Sequence, residues 1–304
     1  MDNIEIKSSP QFEFVKSDLL ARAPAKINLS LLVADKRPDG YHNIETIMAK
    51  VTFYDQLLFE IGKAKGIELV CKGLWSPTEK DNLVYKAADL FYKYIKRDPS
   101  VKITLTKNIP AGSGLGGASS DAATVLLALN KLHGLSVNND ELYKLTEQLG
   151  SDVSFFLNGP LAICTGKGEK VGKLDKICQF EALLVLPDVN VSTKKIYENF
   201  KVDLGLFSSF HEKIKSYISS GRIDLIQKMC ANMLAKTCFA MDNELALLKV
   251  RIQEITKLPV SLSGSGSTLF VIPDAGQYHK AEILQREIIN SLGCNCIIVF
   301  NNEW

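Results

Sequence analysis

The chain has 304 residues, of which 46% are hydrophobic and 23% charged, and its formal net charge is only +2. This balance excludes a general electrostatic affinity for nucleic acid or for membrane surfaces, so an anionic partner must be held by a local site. No apolar run reaches the length of a membrane span.

Cysteine usage and the first twenty residues bear on the compartment. The seven cysteines are odd in number and scattered, which is typical of a reducing compartment and not of a disulfide framework. The first twenty residues lack both the apolar core of a signal peptide and the arginine-rich character of a transit peptide. We therefore expect a cytoplasmic protein.

The first part of the chain, from Ala21 to Val70, has the alternation of β-strands. Apolar residues at 27, 29, 31 and 33 predict a half-buried strand, and Lys26 and Asn28 share its other face because they are two residues apart. Three further strands are predicted, at Thr46–Tyr54, Gln56–Ile61 and Gly66–Cys71.

A glycine-rich segment follows a predicted helix at Asn82–Ile95 and a predicted strand at Val101–Lys107. It reads NIPAGSGLGGASSDAA over residues 108–123. We expect a helix to begin at Ser119-Ser120-Asp121 and to end at a left-handed cap at Gly134. Asn138 is the expected cap of a second helix, which would run to Gly150.

The glycine segment matches the G-x-G-x-x-G pattern of dinucleotide-binding folds, at Gly112, Gly114 and Gly117. That fold needs a second parallel strand after the helix, but residues 138–150 have a helical pattern instead. A Walker A motif is absent from the sequence. Two interpretations remain: a flexible loop capped by serine, or a cradle whose backbone N–H groups and helix dipole hold a phosphate.

Two other segments carry candidate chemistry. Lys26 beside Asn28 could hold a phosphate or a polarised hydroxyl, or could lie on a solvated strand face. Ser151 is an expected helix cap, which places Asp152 in the first turn of the next helix. There the carboxylate could complement the helix dipole, or it could accept a proton from an alcohol.

The second part of the chain has an α+β pattern. We predict a strand at Ala182–Leu186, several helices between Lys194 and Ile255, and strands near Val260, Leu269 and Ile297. The pattern changes near residue 180, so two domains are expected, at residues 1–180 and 181–304.

Three motifs, PAKINLSLL, PAGSGLGGASSDAA and SLSGSGSTLF, resemble in their order the three motifs of the GHMP kinases, the superfamily of galactokinase, homoserine kinase, mevalonate kinase and phosphomevalonate kinase. RPDGYHNIETIM and GSDVSFFLNGPLAICTGKGE are most similar to the kinases of 4-diphosphocytidyl-2-C-methyl-D-erythritol in the non-mevalonate isoprenoid pathway. The resemblance extends from about Ala23 to Phe300. It implies a two-domain α+β fold, with an N-terminal domain like ribosomal protein S5 and a ferredoxin-like C-terminal domain.

The resemblance also implies roles for individual residues. Lys26 and Asp152 match the catalytic pair, in which the aspartate would act on the 2-hydroxyl of the erythritol and the lysine would hold the aspartate. The ATP-binding set would be Asn82, Lys107, Pro110, Ala111, Gly112, Ser113, Gly114, Leu115, Gly116, Gly117, Ala118, Ser119 and Ser120. Of the last two, Ser120 is the expected ligand of Mg²⁺ carried with the nucleotide. The implied cofactors are therefore ATP and Mg²⁺.

On the substrate side, Tyr41 and His42 match a cytidine-binding GYH segment, and Tyr197 falls where relatives often have a phenylalanine that stacks on cytosine. Thr193 and Asn28 complete the implied substrate contacts. The expected partner is a small molecule with a cytidine diphosphate head, and neither nucleic acid nor membrane is expected. The chain is expected to be a monomer or a homodimer.

Three alternatives stay open. The chain could have another GHMP activity, such as that of homoserine kinase, mevalonate kinase or diphosphomevalonate decarboxylase, although those substrates carry no base for Tyr41 and Tyr197 to stack on. It could be a non-catalytic ATP-binding relative, although such a relative would be expected to lose Lys26 or Asp152, and both are present. A dinucleotide-binding oxidoreductase is the third.

Overall fold

The structure is a computed structural model that describes residues 10–135, 137–174, 179–189, 191–229, 231–274 and 278–304. Cys178, Cys230 and the first nine residues, which contributed to the expected compartment, lie outside the described residues. The five cysteines that the structure describes are free thiols. No helix in the described ranges combines the length and the apolar character that crossing a membrane requires.

The larger of two sheets contains eight strands within the described residues. They are β1 (Phe12–Val15), β2 (Asp18–Lys36), β3 (His42–Ile61), β4 (Gly66–Gly73), β5 (Ser100–Lys107), β6 (Leu161–Gly166), β7 (Lys170–Lys173) and the short β9 (Ala231–Asn232). The main order is β1-β2-β3-β5-β4, with β6 between β3 and β7 and with β9 parallel to β2.

The strand β3 corrects one prediction. Two strands were expected on either side of Asp55, but the chain continues through this residue as a single strand. The polar residue interrupts the apolar alternation, which is why the sequence suggested a break. In the structure Asp55 is fully buried, because its carboxylate has partners in the glycine segment and on Lys107.

Four helices pack on one face of this sheet. They are α1 (Leu83–Ile95), α2 (Gly117–Leu132), α3 (Asn139–Thr146) and the single turn α4 (Val153–Phe156), and a 3₁₀ turn at Glu79–Asp81 precedes α1. Asn82 and Asn138 cap α1 and α3, since their side chains accept hydrogen bonds from Val84 N and Glu141 N. Gly134 follows α2 with φ of +60°, so the expected left-handed cap is confirmed.

The smaller sheet has the order β10-β11-β8-β12 within the described residues. Its strands are β8 (Glu181–Leu186), β10 (Ser261–Leu262), β11 (Leu269–Val271) and β12 (Asn295–Phe300). The helices of this part are α5 (Thr193–Asn199), α6 (Leu204–Ser219), α7 (Ile223–Met229), α8 (Ala235–Met241), α9 (Asn243–Thr256) and α10 (Tyr278–Leu292). The strands expected near 182, 260, 269 and 297 are confirmed, whereas no helix was predicted for α10.

The two sheets share a hydrophobic core. Ile27 and Leu29 of β2 pack in one cluster with Leu184 of β8, Phe270 of β11 and Ile214 of α6. Their burial removes a continuous apolar surface from water, which holds the two parts together. As a result, the middle of β2 around Lys26, the glycine segment and the loop between β10 and β11 meet in one place.

Candidate active site

The glycine segment connects β5 to α2 as a loop that only glycine can form at two positions. Gly114 has φ of +79°, and a Cβ there would lie 2.1 Å from Ser263 O. Gly116 has φ of +70°, and a Cβ there would lie 3.1 Å from Lys26 Cγ. The loop is therefore a fixed structure that is packed closely against β2 and against the β10–β11 loop, not a flexible surface connection.

The helix α2 begins two residues earlier than expected, at Gly117 in place of Ser119. Gly116 is its N-cap in the left-handed region, and no side chain caps the helix. The first helical hydrogen bond is from Ser120 N to Gly116 O at 2.9 Å. The N–H groups of residues 117–119 precede that bond, so they remain available to an anion at the N-terminus of a long helix.

The motif SLSGSGSTLF, which runs from β10 through the following loop into β11, packs on the glycine loop. Ser263 Oγ donates to Gly114 O at 2.9 Å, and Thr268 N donates to Ser113 O at 3.1 Å. Two residues of the motif, Gly264 and Ser265, also line the cavity that is described below.

Lys26 is buried on β2, with 3% of its surface exposed. Its ammonium donates to Asn28 Oδ1 at 2.6 Å and to Gly114 O at 2.7 Å, which confirms that Lys26 and Asn28 share a face. Asn28 is held in turn, because its amide donates to Thr46 Oγ1 at 2.8 Å. Burial lowers the pKa of Lys26, and Asp152 opposes that shift by attraction. Two of the three N–H groups of the ammonium are thus used by the protein.

Asp152 lies at the N-cap of α4, one position before the first turn in which it was predicted. The expected cap by Ser151 is wrong, because α4 begins only at Val153 and no side chain caps it. No ion pair within 4.0 Å joins Asp152 to Lys26 or to any other cation that the structure describes. The carboxylate is instead close to the turn between β6 and β7, 3.6 Å from the position of a Cβ on Gly168.

These groups border one cavity of about 750 Å³. Ten of the predicted site residues line it: Lys26, Asn28, Tyr41, His42, Gly114, Gly116, Ser119, Asp152, Thr193 and Tyr197. They come from β2, β3, α2 and α5, from the N-cap of α4 and from the connecting loops. A cavity of this size can hold a ligand of more than one chemical part.

One end of the cavity is aromatic. The rings of His42 and Tyr197 lie 5.7 Å apart at a tilt of 34°, and Tyr41 is 57% exposed beside them. The His42 Nδ1 atom is 3.0 Å from Ala34 O. Since a carbonyl oxygen only accepts, Nδ1 carries a proton and Nε2 of the neutral ring is an acceptor. Thr193 Oγ1 is hydrogen-bonded to Ser265 Oγ at 2.7 Å.

Two predicted ATP residues lie away from the cavity and have partners of their own. Asn82 caps α1 and donates to Pro77 O at 3.2 Å. Lys107 is buried between Asp55 and Asp121, and its Nζ is 2.8 Å from Asp121 Oδ2. Burial by itself would lower the pKa of Lys107, but the two carboxylates raise it above its ordinary value.

The remaining predicted loop residues do not line the cavity either. They are Pro110, Ala111, Gly112, Ser113, Leu115, Gly117, Ala118 and Ser120. Ala111, Gly112 and Ala118 are exposed, whereas Ser113, Leu115, Gly117 and Ser120 are buried. Any contact that they make with ATP would therefore come from the backbone or from the exposed side of the loop.

Several cavity residues were missed by the sequence prediction. Lys36, Lys167 and Lys194 add positive charge to the lining, and Lys167 lies over the Tyr41 ring at 5.3 Å. The sequence could have suggested Lys194, because it is adjacent to the predicted substrate contact Thr193. Lys36 and Lys167 lie in strand ends and turns rich in charge, where the pattern alone does not separate a ligand contact from a solvated side chain.

Comparison with known proteins identifies the family of the chain. Residues 82–160 match the model of the GHMP kinases N terminal domain. A 4-diphosphocytidyl-2-C-methyl-D-erythritol kinase of Bacillus cereus is 39% identical over 253 residues, which cover 83% of this chain and 87% of the relative. A protein of the same name from Bacillus anthracis is 38% identical with the same coverage.

Solved structures give the same result at the level of the fold. A 4-(cytidine 5'-diphospho)-2C-methyl-D-erythritol kinase superposes with a TM-score of 0.74 at 30% identity, over 93% of this chain and 99% of the other. A homoserine kinase from Cytophaga hutchinsonii has a TM-score of 0.75 at 17% identity, over 97% and 98% of the two chains, a likeness of fold alone. The expected α+β GHMP kinase fold is thus confirmed. By identity over most of both sequences, this chain belongs to the family of 4-diphosphocytidyl-2-C-methyl-D-erythritol kinases within the GHMP kinases.

Proposed function

We propose that the protein transfers the γ-phosphoryl group of ATP to the 2-hydroxyl of 4-diphosphocytidyl-2-C-methyl-D-erythritol. One observation carries the proposal: a single cavity is lined by the helix-start glycine loop, by a lysine and carboxylate, and by an aromatic cluster. These three groups suit three chemical parts of the two reacting molecules. The loop suits the polyphosphate of ATP, the lysine and carboxylate suit the reacting alcohol, and the aromatic cluster suits the pyrimidine. This reaction belongs to the isoprenoid precursor pathway that uses this substrate.

The proposed chemistry is a direct transfer. The hydroxyl oxygen forms a bond to the γ-phosphorus, the bond from that phosphorus to the bridging oxygen breaks, and ADP leaves. The hydroxyl proton passes to Asp152, whose carboxylate lines the cavity. Such a transfer asks the protein mainly for positioning and for neutralisation of charge.

Lys26 and the glycine loop supply the positive potential. Lys26 keeps one N–H beyond its bonds to Asn28 and Gly114, and that N–H is proposed to meet the moving phosphoryl group. Lys26 and Asp152 both line the cavity, and the reacting groups are proposed to lie between them. The unpaired N–H groups at the start of α2 are proposed to hold the phosphates that stay with ADP.

The aromatic end is proposed to hold cytosine. Tyr41 and Tyr197 can stack on the faces of a pyrimidine, while Nε2 of His42 can accept a hydrogen bond from its exocyclic amino group. The acceptor role follows from the contact between Nδ1 and Ala34 O. Thr193 is proposed to contact the same part of the substrate.

The residues present fit a Mg²⁺ ion that is carried with the nucleotide. No group of three or more His, Cys, Asp or Glu residues that could hold a metal occurs in the described part of the chain, so phosphate oxygens would supply most ligands. Ser120 Oγ is buried and lacks a hydrogen-bond partner among the described atoms, and Ser119 lines the cavity. One of these hydroxyls would hold the ion, which would neutralise charge on the phosphates.

The test is ADP release from Mg·ATP by the purified protein with the cytidyl substrate, and with homoserine and mevalonate as controls. We expect turnover with the cytidyl substrate alone. Asp152→Asn should lower kcat by about 10²–10⁴-fold, the usual contribution of a general base, with both KM values nearly unchanged. Turnover with homoserine or mevalonate alone would overturn the substrate, and an unchanged kcat for Asp152→Asn would overturn the base.

The division into domains at residues 180 and 181, the cytoplasmic location and a monomeric or homodimeric state remain part of this proposal. The division is supported by the two sheets, since β7 ends at Lys173 in the larger sheet and β8 begins at Glu181 in the smaller one. The strand β9 joins the larger sheet from beyond that boundary, so the two domains would be tightly connected.

A further inference from the structure

Lys50, on β3, is a buried lysine that the proposed reaction does not use. Its side chain is 2% exposed, and its Nζ donates to Asn158 O at 2.5 Å and to Phe156 O at 3.2 Å. None of the carboxylates that the structure describes lies within 4.0 Å of this Nζ. A buried lysine without a counter-charge is costly, so its two contacts require an explanation.

Both contacts are made with the carboxyl end of α4. This helix is a single turn, Val153–Phe156, and Asp152 occupies its N-cap. A helix of one turn has little stability of its own, and its last carbonyl groups have no partner within the helix. Lys50 satisfies the last of these carbonyl groups, Phe156 O, and also donates to Asn158 O two residues beyond the helix. Both contacts lie at the opposite end of the turn from the carboxylate that is proposed to be the base.

The backbone around Lys50 strengthens the same connection. Lys50 N donates to Pro160 O at 2.8 Å, just after α4. From the other side, Asn302 N donates to Lys50 O at 2.8 Å, and the Trp304 ring lies 5.9 Å from Lys50 Nζ. Tyr54 stacks on Trp304 with the ring centroids 5.7 Å apart. The C-terminal residues therefore cover Lys50 and hold its side chain against α4.

The hydrogen bonds do not depend on the charge of the amine. Burial lowers the pKa of Lys50 to about 7, so the side chain loses its charge near neutral pH. A neutral amine still has two N–H groups, one for each carbonyl. The contact with α4 can thus persist on both sides of neutral pH.

We propose that Lys50 is a positioning residue that fixes Asp152 through α4. The inference rests on the proposed function, in which Asp152 takes the proton of the substrate hydroxyl. Because Lys50 reaches the carbonyl end of a single turn whose N-cap is Asp152, its removal frees that turn to shift. A displacement of about 1 Å at a catalytic group can lower the rate by about 10²-fold.

The experiment compares Lys50→Met with wild type, with Asp152→Asn and with the double variant, in the ADP-release assay with the cytidyl substrate. Lys102→Met is the matched control, since Lys102 lies on the same sheet, is half-exposed and contacts Glu60 and Glu68. We expect Lys50→Met to lower kcat by roughly 10- to 100-fold while both KM values stay within about two-fold. In the Asp152→Asn background the same substitution should change turnover by less than about two-fold, because the positioned group is already gone.

Amide hydrogen exchange provides a readout that is independent of turnover. In Lys50→Met, exchange should rise in residues 152–158 and stay unchanged in α1 and α2. If the methionine variant does not fold, Lys50→Gln serves in its place, since its shorter side chain cannot reach both carbonyl groups.

Three results would overturn the positioning role. They are a kcat within about two-fold of wild type, an equal loss of turnover in the wild-type and Asp152→Asn backgrounds, and unchanged exchange in residues 152–158. Failure of the proposed function looks different, since wild type would not turn over the cytidyl substrate or Asp152→Asn would keep full activity. In that case the exchange measurement still decides whether Lys50 holds α4.

Discussion

Two buried lysines beside the glycine loop, Lys26 and Lys107, have opposite surroundings. Lys107 lies between two carboxylates, those of Asp55 and Asp121, and its pKa is raised. Lys26 contacts a neutral amide and a backbone carbonyl, lines the cavity, and has a lowered pKa. The charge of Lys107 is thus balanced by its own buried partners, whereas Lys26 leaves positive charge for a ligand.

The buried cluster of Asp55, Lys107 and Asp121 also holds the glycine loop in place. Asp55 Oδ1 accepts hydrogen bonds from Asn108 N at 2.6 Å and from Ile109 N at 2.9 Å, at the start of the loop. Lys107 connects that carboxylate to Asp121 in α2, at the end of the loop. Both ends of the glycine loop are therefore tied to one buried cluster, and the loop between them is held in shape. A buried lysine with carboxylate partners fixes structure, and one with neutral partners beside a cavity can act on a substrate.

The largest effect expected from this comparison is on stability. Lys107→Met leaves two carboxylates buried without their cation, so the free energy of unfolding should fall by about 3–5 kcal/mol. Lys102→Met on the same strand removes only partly exposed ion pairs and should cost less than about 1 kcal/mol. Urea unfolding of the two variants measures both values. A stable Lys107→Met variant with a raised KM for ATP would make Lys107 a nucleotide contact, as the family resemblance implied.

Lys26→Met should show the reverse behaviour. Removal of a charge donor that acts on the transferred group should lower kcat by about 10²–10³-fold, while the unfolding free energy is kept or raised because a buried charge is removed. The ADP-release assay measures kcat, and urea unfolding of the same preparation measures the unfolding free energy. A large loss of stability with normal turnover would contradict the contrast with Lys107.

Lys50 extends the comparison to pH. Its pKa is about 7 in the folded protein, against an ordinary value of 10.5, so between these values the unfolded chain binds more protons than the folded one. Lys50 therefore makes the unfolding free energy rise with pH in this window, by about 1.4 kcal/mol per unit, and contributes no slope below pH 7. Urea unfolding at pH 7, 8 and 9 should show this slope in the difference between wild type and Lys50→Met. A flat difference would mean that Lys50 keeps its charge throughout.

The smallest expected effect lies at the aromatic end of the cavity, where ring contacts replace charge. Tyr197→Ala should weaken binding of the cytidyl substrate by about 1–3 kcal/mol, the usual contribution of a base–aromatic stack, and should leave the KM for ATP unchanged. Tyr197→Phe keeps the ring and serves as the control. Steady-state kinetics with each substrate varied in turn give the result, and an unchanged KM in the alanine variant would remove Tyr197 from the site.

Local patterns predicted much of the fold. Alternation predicted β2 and β5, helical spacing predicted α1, and the Asn138 cap marked the start of α3. The spacing of Lys26 and Asn28 placed them on one face. Errors arose where a distant partner decides the outcome. Asp55 suggested a break in β3 because its partners, Lys107 and the backbone of the glycine loop, lie more than fifty residues away in sequence. The helix α10 went unpredicted although Ala281, Leu284 and Ile288 have helical spacing and are buried.

The sequence by itself determined which residues could do the chemistry, since the glycine loop, the lysine, the carboxylate and the aromatic rings can be identified from residue types and their spacing. It also determined the family, through motifs whose order extends over most of the chain. Only the tertiary structure decided which of two lysines faces the cavity, where Asp152 lies relative to α4, and that Lys50 reaches the same turn. The physical reason is that burial and partners set the charge and the mobility of a side chain. Those partners come from strands and loops that are far apart in the sequence.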